Sequence, residues 1–254
     1  MKNKTVFPVL FLFVLILSSF IRAQDMNPEA AKLYNEGNSL LKANDFIGAE
    51  SNYDKALAIE KDYRIYYQKG VAQKKASDWQ GAKISFEECI KLKNDFELGY
   101  NALGGVYFSL GDFNQALVNF EKALTLTNNS ETITKVKKNL SLTYYKLGNQ
   151  EVTNGNSQKA IEYLNKSIEN ENYDAAYLLL ARVYSELGEW DKSISASENA
   201  LKYVSKITPG GPYYYLGISY KGKGDKQKAK EMFEKAKSDA TYSKSAEYEL
   251  GQLK

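Results

Sequence analysis

One short pattern of small residues returns six times along this chain and decides what the chain can fold into. In each copy a small residue is followed twelve positions later by a second one, and seven positions after that by a third. The first small residues of the copies are Gly37, Gly70, Gly104, Gly148, Ala181 and Gly217. Their spacings of 33, 34, 44, 33 and 36 residues are typical of a solenoid, in which each unit packs on its neighbours.

Each copy carries the pattern of a helical hairpin. An apolar or aromatic residue stands four positions before the first small residue, which places both on one stripe of a helix. A turn rich in Gly, Asn and Asp follows, where one residue can adopt the left-handed conformation and another can cap a second helix. The second helix brings a bulky residue between its two small ones. Small residues on facing stripes let the two backbones approach closely.

The stretch YNALGGVYFSLGDFNQALVNFEKAL at 100–124 resembles the tetratricopeptide repeat, and the six copies share its pattern. The resemblance implies an all-α fold, a right-handed superhelical solenoid of six helix-turn-helix repeats plus a C-terminal capping helix. The expected repeats are 30–62, 63–96, 97–127, 128–173, 174–209 and 210–239, followed by a capping helix at 240–254. Repeats four and five are expected to pack less tightly, because residues such as Ser197 occupy their packing positions.

Two segments interrupt the period. Ten extra residues precede repeat four, where an asparagine or serine at 128–130 can cap a helix whose apolar pattern continues to Val152. They predict a first helix about three turns longer than its neighbours, or alternatively an added surface for a partner. Before repeat six, Pro209 and Pro212 bracket two glycines, which predicts a break between units.

The segment 1–23 is typical of a secretory signal peptide. Lys2 and Lys4 precede an apolar run, and Ala23 offers a small residue at its exit. We expect cleavage after Ala23, a short lead-in at 24–29, and a periplasmic or secreted protein of an exported bacterial type with no stable membrane insertion. The alternative is an uncleaved N-terminal anchor, because the apolar segment reaches about 17 residues, the low edge of what crosses a bilayer.

Composition excludes several classes of function. Lys2, Lys4 and Arg22 supply the whole net charge of +3, so the chain after Ala23 is formally neutral and offers no basic field for nucleic acid. Without histidine, and with one cysteine, a transition-metal site and histidine-dependent catalysis are not expected. We therefore expect no enzyme, cofactor or metal. Cys89 is interpreted as a small buried hydrophobe rather than a redox group.

Proteins similar to this family line their concave surface with the first helix of each repeat. Residues three before, one after and four after the first small residue share one stripe of that helix. The candidate groove residues on this stripe are Tyr34, Asn38, Tyr67, Lys74, Asn101, Phe108, Tyr145, Asn149, Arg182 and Tyr214. Tyrosine combines broad contact area with a polar tip, which suits recognition, although these tyrosines could instead pad neighbouring first helices.

These features favour a non-catalytic interaction scaffold of the cell envelope that holds a peptide or protein segment in its groove. Aromatic rows also suit a groove for a glycan or a small molecule, which is a second hypothesis. A third hypothesis is a purely structural bridge in an envelope assembly, acting through the convex side and the long fourth-repeat helix.

Overall fold

The regular secondary structure is a succession of thirteen α-helices in residues 26–253, the part of the chain that the computed structural model describes. In chain order they are α1 (Pro28–Lys42), α2 (Phe46–Ile59), α3 (Tyr63–Lys75), α4 (Trp79–Leu92), α5 (Glu97–Ser109), α6 (Phe113–Leu126), α7 (Ser130–Thr153), α8 (Ser157–Asn170), α9 (Asp174–Glu186), α10 (Trp190–Lys202), α11 (Gly210–Gly222), α12 (Lys226–Ala236) and α13 (Ser243–Gln252). The expected signal peptide at 1–23 lies outside the described residues. None of the thirteen helices is long and apolar enough to cross a membrane.

The helices form six pairs in sequence order. Each odd-numbered helix packs against the even-numbered helix that follows it, from α1 with α2 to α11 with α12, and α13 packs on α12. Each pair also packs on the next one along the chain. The predicted all-α array of helical pairs is therefore confirmed.

Five of the six pairs are closed by one bulky side chain of the second helix. These side chains are fully or almost fully buried, and each lies against the glycine that opens the repeat pattern on the first helix. They are Tyr53, Phe86, Phe120, Leu164 and Phe233. The fifth pair differs, because Ala181 stands in the position of the glycine and Ser197 in that of the bulky residue, and both are fully buried.

The turn inside each pair follows one design. The second residue after the first helix has a positive φ in all six pairs, at Asn44, Ser77, Gly111, Gly155, Gly188 and Gly224. In four pairs the next residue is an aspartate whose carboxylate accepts the backbone N–H three residues further on. This agrees with the predicted turn chemistry except at Ser77, where a serine adopts a conformation that favours glycine or asparagine.

The array curves toward its first helices. Successive first helices contact one another from α1 to α11, whereas successive second helices of the described chain are not in comparable contact. Because the first helices lie closer together, they occupy the inner side of the curve, and the second helices occupy the outer side. The helices that carry the candidate residues are therefore the inner helices of the curve.

The ten extra residues of the fourth repeat form added turns of α7. This helix has 24 residues, against 13 in α5 and in α9. Asn129 caps it by accepting the backbone N–H of Thr132 at 2.9 Å. Val136 and Leu140 in the added turns are buried, so these turns pack into the array rather than extend freely into solvent.

Two helix boundaries differ from the expected positions. Helix α1 begins at Pro28, inside the expected lead-in 24–29, because Asn27 caps it by accepting the N–H groups of Glu29 and Ala30. Gly210–Pro212 forms the first turn of α11 instead of a break, and the connection between units is 203–209. Proline is tolerated in the first turn of a helix because the N–H that it lacks has no partner there.

Candidate functional site

All ten candidate groove residues lie on first helices, which are the inner helices of the array. Their side chains differ in how far packing already uses them. The aromatic candidates and Asn38 are half-buried, whereas Lys74, Asn149 and Arg182 are exposed. The concave surface therefore presents aromatic edges at intervals, separated by polar tips.

Three groove tyrosines rest on the bulky residue of their own pair. Tyr34 lies 6.1 Å from the ring of Tyr53, Tyr67 lies 5.8 Å from Phe86, and Tyr214 lies 5.9 Å from Phe233, between ring centroids. Burial raises the pKa of Tyr67 and of Tyr214. The hairpin thus fixes each of these rings, and Tyr67 and Tyr214 also pack on Phe96 and on Tyr242, which leaves all three tyrosines half-buried.

Tyr145 of α7 is fixed from a different direction. Its ring meets the ring of Tyr173 edge-on, with centroids 5.1 Å apart. Burial is the main cause that raises the pKa of Tyr145, and the carboxylate of Asp174 raises it further. Tyr145 therefore connects the groove to the segment between α8 and α9.

Several polar candidates already have partners inside the chain. Asn38 accepts the hydroxyl hydrogen of Tyr53 at 2.8 Å, and Asn101 accepts from the side-chain amide of Asn139 at 3.0 Å. Arg182 donates to Glu186 one turn later on α9 at 2.8 Å. These contacts pre-orient the polar groups, which lowers the entropy lost when such groups bind a ligand.

One groove residue escaped the sequence reasoning. Tyr248 of α13 stands three positions before Gly251, as Tyr214 does before Gly217, and the two glycines are 34 residues apart. No second helix follows α13 within residues 26–253, nothing lies within 4 Å of a Cβ added at Gly251, and Tyr248 is 66% exposed. The recurring Leu-Gly at 250–251 was the signal that could have revealed it.

A side cavity of about 310 Å³ adjoins the middle of the groove. Three segments line it: α7, the connection from α8 to α9, and the connection from α10 to α11. The lining residues are Lys138, Asn139, Ser141, Leu142, Glu171, Asn172, Tyr173, Ser205 and Lys206. Sequence reasoning missed this cavity, because its walls come from parts of the chain more than sixty residues apart.

A buried carboxylate fixes the third wall of the cavity. Asp174, at the start of α9, is fully buried and accepts the backbone N–H groups of Ser205, Lys206 and Ile207 at 2.6, 2.5 and 3.1 Å. Burial by itself would raise the pKa of Asp174. The three N–H groups and that of Ala175 outweigh this effect and hold the pKa below its ordinary value.

The described residues offer little for metal or thiol chemistry. No group of three or more His, Cys, Asp or Glu side chains within 26–253 could hold a metal ion. Cys89 is fully buried, and burial raises the pKa of its thiol to about 12. It therefore acts as a packing residue in the position that alanine occupies in other repeats.

Stacked helical hairpins with a concave stripe of aromatic and polar side chains define an α-solenoid interaction scaffold. Family models described as the tetratricopeptide repeat match residues 63–96, 99–130, 145–212 and 213–240, more than half of the chain. The chain belongs to the tetratricopeptide repeat family. It is accordingly a non-catalytic scaffold for protein–protein interaction.

Comparisons with individual proteins agree with this assignment. The chain is 29% identical over 119 residues to the Photosystem I assembly protein Ycf3 of Synechococcus sp. (strain CC9605). That match covers 42% of this chain and 63% of the relative, which is less than two thirds of the relative's length.

Two solved structures share the fold. One is YrrB, described as a TPR protein with an unusual peptide-binding site, with a TM-score of 0.52 and 22% identity over 77% of this chain and 97% of that one. The other is pilF of Pseudomonas aeruginosa, with a TM-score of 0.52 and 15% identity over 89% of this chain and 96% of that one. At these identities the likeness concerns the fold alone.

Proposed function

We propose that this scaffold is exported to the cell envelope and binds an extended segment of another protein along its concave groove. The observation that carries the proposal is the row of half-buried tyrosines on the inner side of the curve. Tyr34, Tyr67 and Tyr214 are oriented by the bulky residue of their own hairpin, and Tyr145 is oriented by Tyr173. Rigid aromatic residues lose little entropy on binding, which makes them effective contact residues.

The spacing of the groove residues favours a polypeptide as the ligand. Tyrosines alternate with amide and cationic side chains across several repeats. An extended chain presents apolar side chains together with regularly placed backbone N–H and C=O groups. Such a chain can pack on the rings while its backbone bonds to Asn149 and its neighbours.

A peptide array tests this function. We expect saturable binding of a subset of 12-residue peptides, and a loss of roughly tenfold or more in affinity in Tyr67→Ala, because aromatic anchors contribute about 2 kcal/mol or more. Tyr163→Ala is the matched control, since Tyr163 is also half-buried but lies on a second helix. Thermal unfolding of both variants separates lost contacts from lost fold.

Binding restricted to glycan panels would overturn the groove proposal in favour of a glycan site. Crosslinks that cluster on 128–140, with groove variants fully active, would instead support a structural bridge through α7. Either result would leave the fold assignment intact.

Export is tested separately. Cell fractionation followed by mass spectrometry should find a chain that begins at Gln24 in the envelope or the medium, because cleavage after Ala23 is typical of a signal peptidase site. Deleting the apolar run at 6–17 should retain the protein in the cytoplasm. A native chain recovered from the cytoplasm with Met1 in place would contradict export.

A further inference from the structure

The side cavity lies where the two irregularities of the repeat period meet. Lys138 and Asn139 belong to the ten residues that lengthen α7. Ser205 and Lys206 belong to 203–209, the long connection before α11. A strictly periodic array would have neither wall, so both departures from the period build the same cavity.

Two contacts place the cavity beside the groove stripe. Asn139, in its lining, donates to Asn101 of the groove stripe at 3.0 Å. Tyr173, also in its lining, packs edge-on against Tyr145 of the same stripe. A segment lying in the groove would therefore pass the mouth of the cavity between two residues that it contacts.

The polar groups of the cavity favour an anion. Lys135 is paired with Glu131 one turn earlier on α7, whereas Lys138 and Lys206 form no salt bridge with any carboxylate in residues 26–253. Asn172 accepts from the hydroxyl of Tyr177 at 2.9 Å, which leaves its amide N–H groups as donors. The lining also contains one carboxylate, that of Glu171, which forms no salt bridge within residues 26–253.

The size and position of the cavity further limit which kind of ligand group can occupy it. A volume of about 310 Å³ is at the low end of the roughly 300–1,000 Å³ of small-molecule sites, which suits a single side chain. The groove continues on both sides, through α5 toward α1 and through α9 toward α13. An extended chain can therefore pass by and insert a side chain, whereas a chain terminus would leave half of the groove empty.

We infer that this cavity is a specificity pocket for one acidic side chain, aspartate or glutamate, of the polypeptide bound in the groove. Lys138, Lys206 and the amide of Asn172 bind the carboxylate by charge-assisted hydrogen bonds. Glu171 disfavours ligands that bring more than one negative charge. The inference rests on the proposed peptide-binding function and adds the chemistry of one recognised residue.

Nuclear magnetic resonance titration of the purified chain with blocked amino acids tests the pocket directly. The probes are N-acetyl-glutamate methylamide, its glutamine counterpart as the neutral control, and N-acetyl-glycine for a terminal carboxylate. We expect the glutamate probe to shift the amide signals of Asn172, Ser205 and Lys206 saturably, and the other two probes to leave them unchanged.

Charge variants give the matched comparison. Lys138→Gln and Lys206→Gln should each weaken binding of the glutamate probe about threefold or more, and Glu171→Gln should tighten it by a similar factor. Lys137→Gln is the control, because Lys137 is an exposed neighbour on α7 that does not line the cavity. Binding should weaken as salt is added.

Three results would overturn the pocket. If the glutamine probe binds as well as the glutamate probe, the pocket does not recognise charge. If only N-acetyl-glycine binds, the pocket recognises a terminal carboxylate instead of an acidic side chain. If array peptides lose binding in Tyr67→Ala but not in Lys138→Gln or Lys206→Gln, the groove function stands and the pocket is wrong. If no peptide binds but the glutamate probe still does, the pocket stands and the groove function is wrong.

Discussion

Gly104 of α5 lies so close to the ring of Phe120 on α6 that an added Cβ would come within 2.7 Å of its Cδ1 and Cε1 atoms. The same approach recurs between Gly37 and Tyr53, where the distance would be 2.6 Å. Contacts this short are not tolerated by real Cβ atoms. The absence of a side chain on the first helix is thus what lets the bulky residue of the second helix close five of the six pairs.

Two adjacent glycines give the first prediction. Gly104→Ala should destabilise the fold by about 1–3 kcal/mol, because Phe120 must leave its position. Gly105→Ala should instead stabilise it by up to about 1 kcal/mol, because alanine is the better helix former and its Cβ has room. Within residues 26–253 the added Cβ would meet only the flexible Lys74 ammonium, at 3.9 Å, apart from the backbone of its own helix. Urea denaturation checks both, and equal effects at the two positions would contradict the packing argument.

Two buried serines of α10 give the second prediction. Ser193 donates to the carbonyl of Ala181 at 2.8 Å and accepts from Ser219 at 2.8 Å, whereas Ser197 makes no hydrogen bond within the described residues. Ser193→Ala should therefore cost about 1–3 kcal/mol, and Ser197→Ala should be neutral or stabilising by up to about 1 kcal/mol. Thermal unfolding of the pair measures the difference. A larger loss of stability in Ser197→Ala than in Ser193→Ala would show that the Ser197 hydroxyl is hydrogen-bonded.

The buried carboxylate of Asp174 gives the third prediction. Asp174→Asn should cost about 1–3 kcal/mol at pH 7, because a neutral amide accepts the three N–H groups of 205–207 less well. Since the folded pKa lies below the unfolded value of about 3.9, this stabilisation is present above that value and is lost as pH falls through the folded pKa.

Denaturation at pH 7 and at pH 3 measures the difference in unfolding free energy between the wild type and Asp174→Asn. This difference should be smaller at pH 3. Asp95→Asn is the control, since Asp95 is exposed in the connection before α5. A larger difference at pH 3 than at pH 7 would contradict the expected pH dependence of the Asp174 contribution.

Cys89 gives the fourth prediction. Burial raises the pKa of its thiol to about 12, so almost no thiolate exists at pH 8. Iodoacetamide should modify the native chain about three orders of magnitude more slowly than the chain unfolded in guanidinium, where the pKa returns to about 8.5. Mass spectrometry over time measures both rates. Rapid labelling of the native chain would mean that α4 opens readily.

The helical pairs were predictable because their determinants are local. The small residues, the bulky residue between them and the turn all lie within about thirty residues, and each has one physical role. Pro212 was misread because a proline marks a break in most contexts but fits equally well in the first turn of a helix such as α11.

The helices that carry the candidate residues could be predicted, but the depth to which each side chain is buried could not. Tyr67 is half-buried because Phe86 and Phe96 flank it, while Tyr248 at the same register is exposed because no second helix follows α13 within residues 26–253. The side cavity could not be predicted from the sequence, for a similar reason. Its walls come from α7 and 203–209, and only the packed array brings them together.

The length of α7 has a consequence for how a partner is held. A perfectly periodic surface would accept the same chain in several equivalent positions, each displaced by one repeat. At 1.5 Å per residue, α7 is about 36 Å long, against about 20 Å for α5 or α9, and it interrupts that equivalence at a single place. A ligand that touches both the groove and α7 has one alignment along the array and cannot slide to the next.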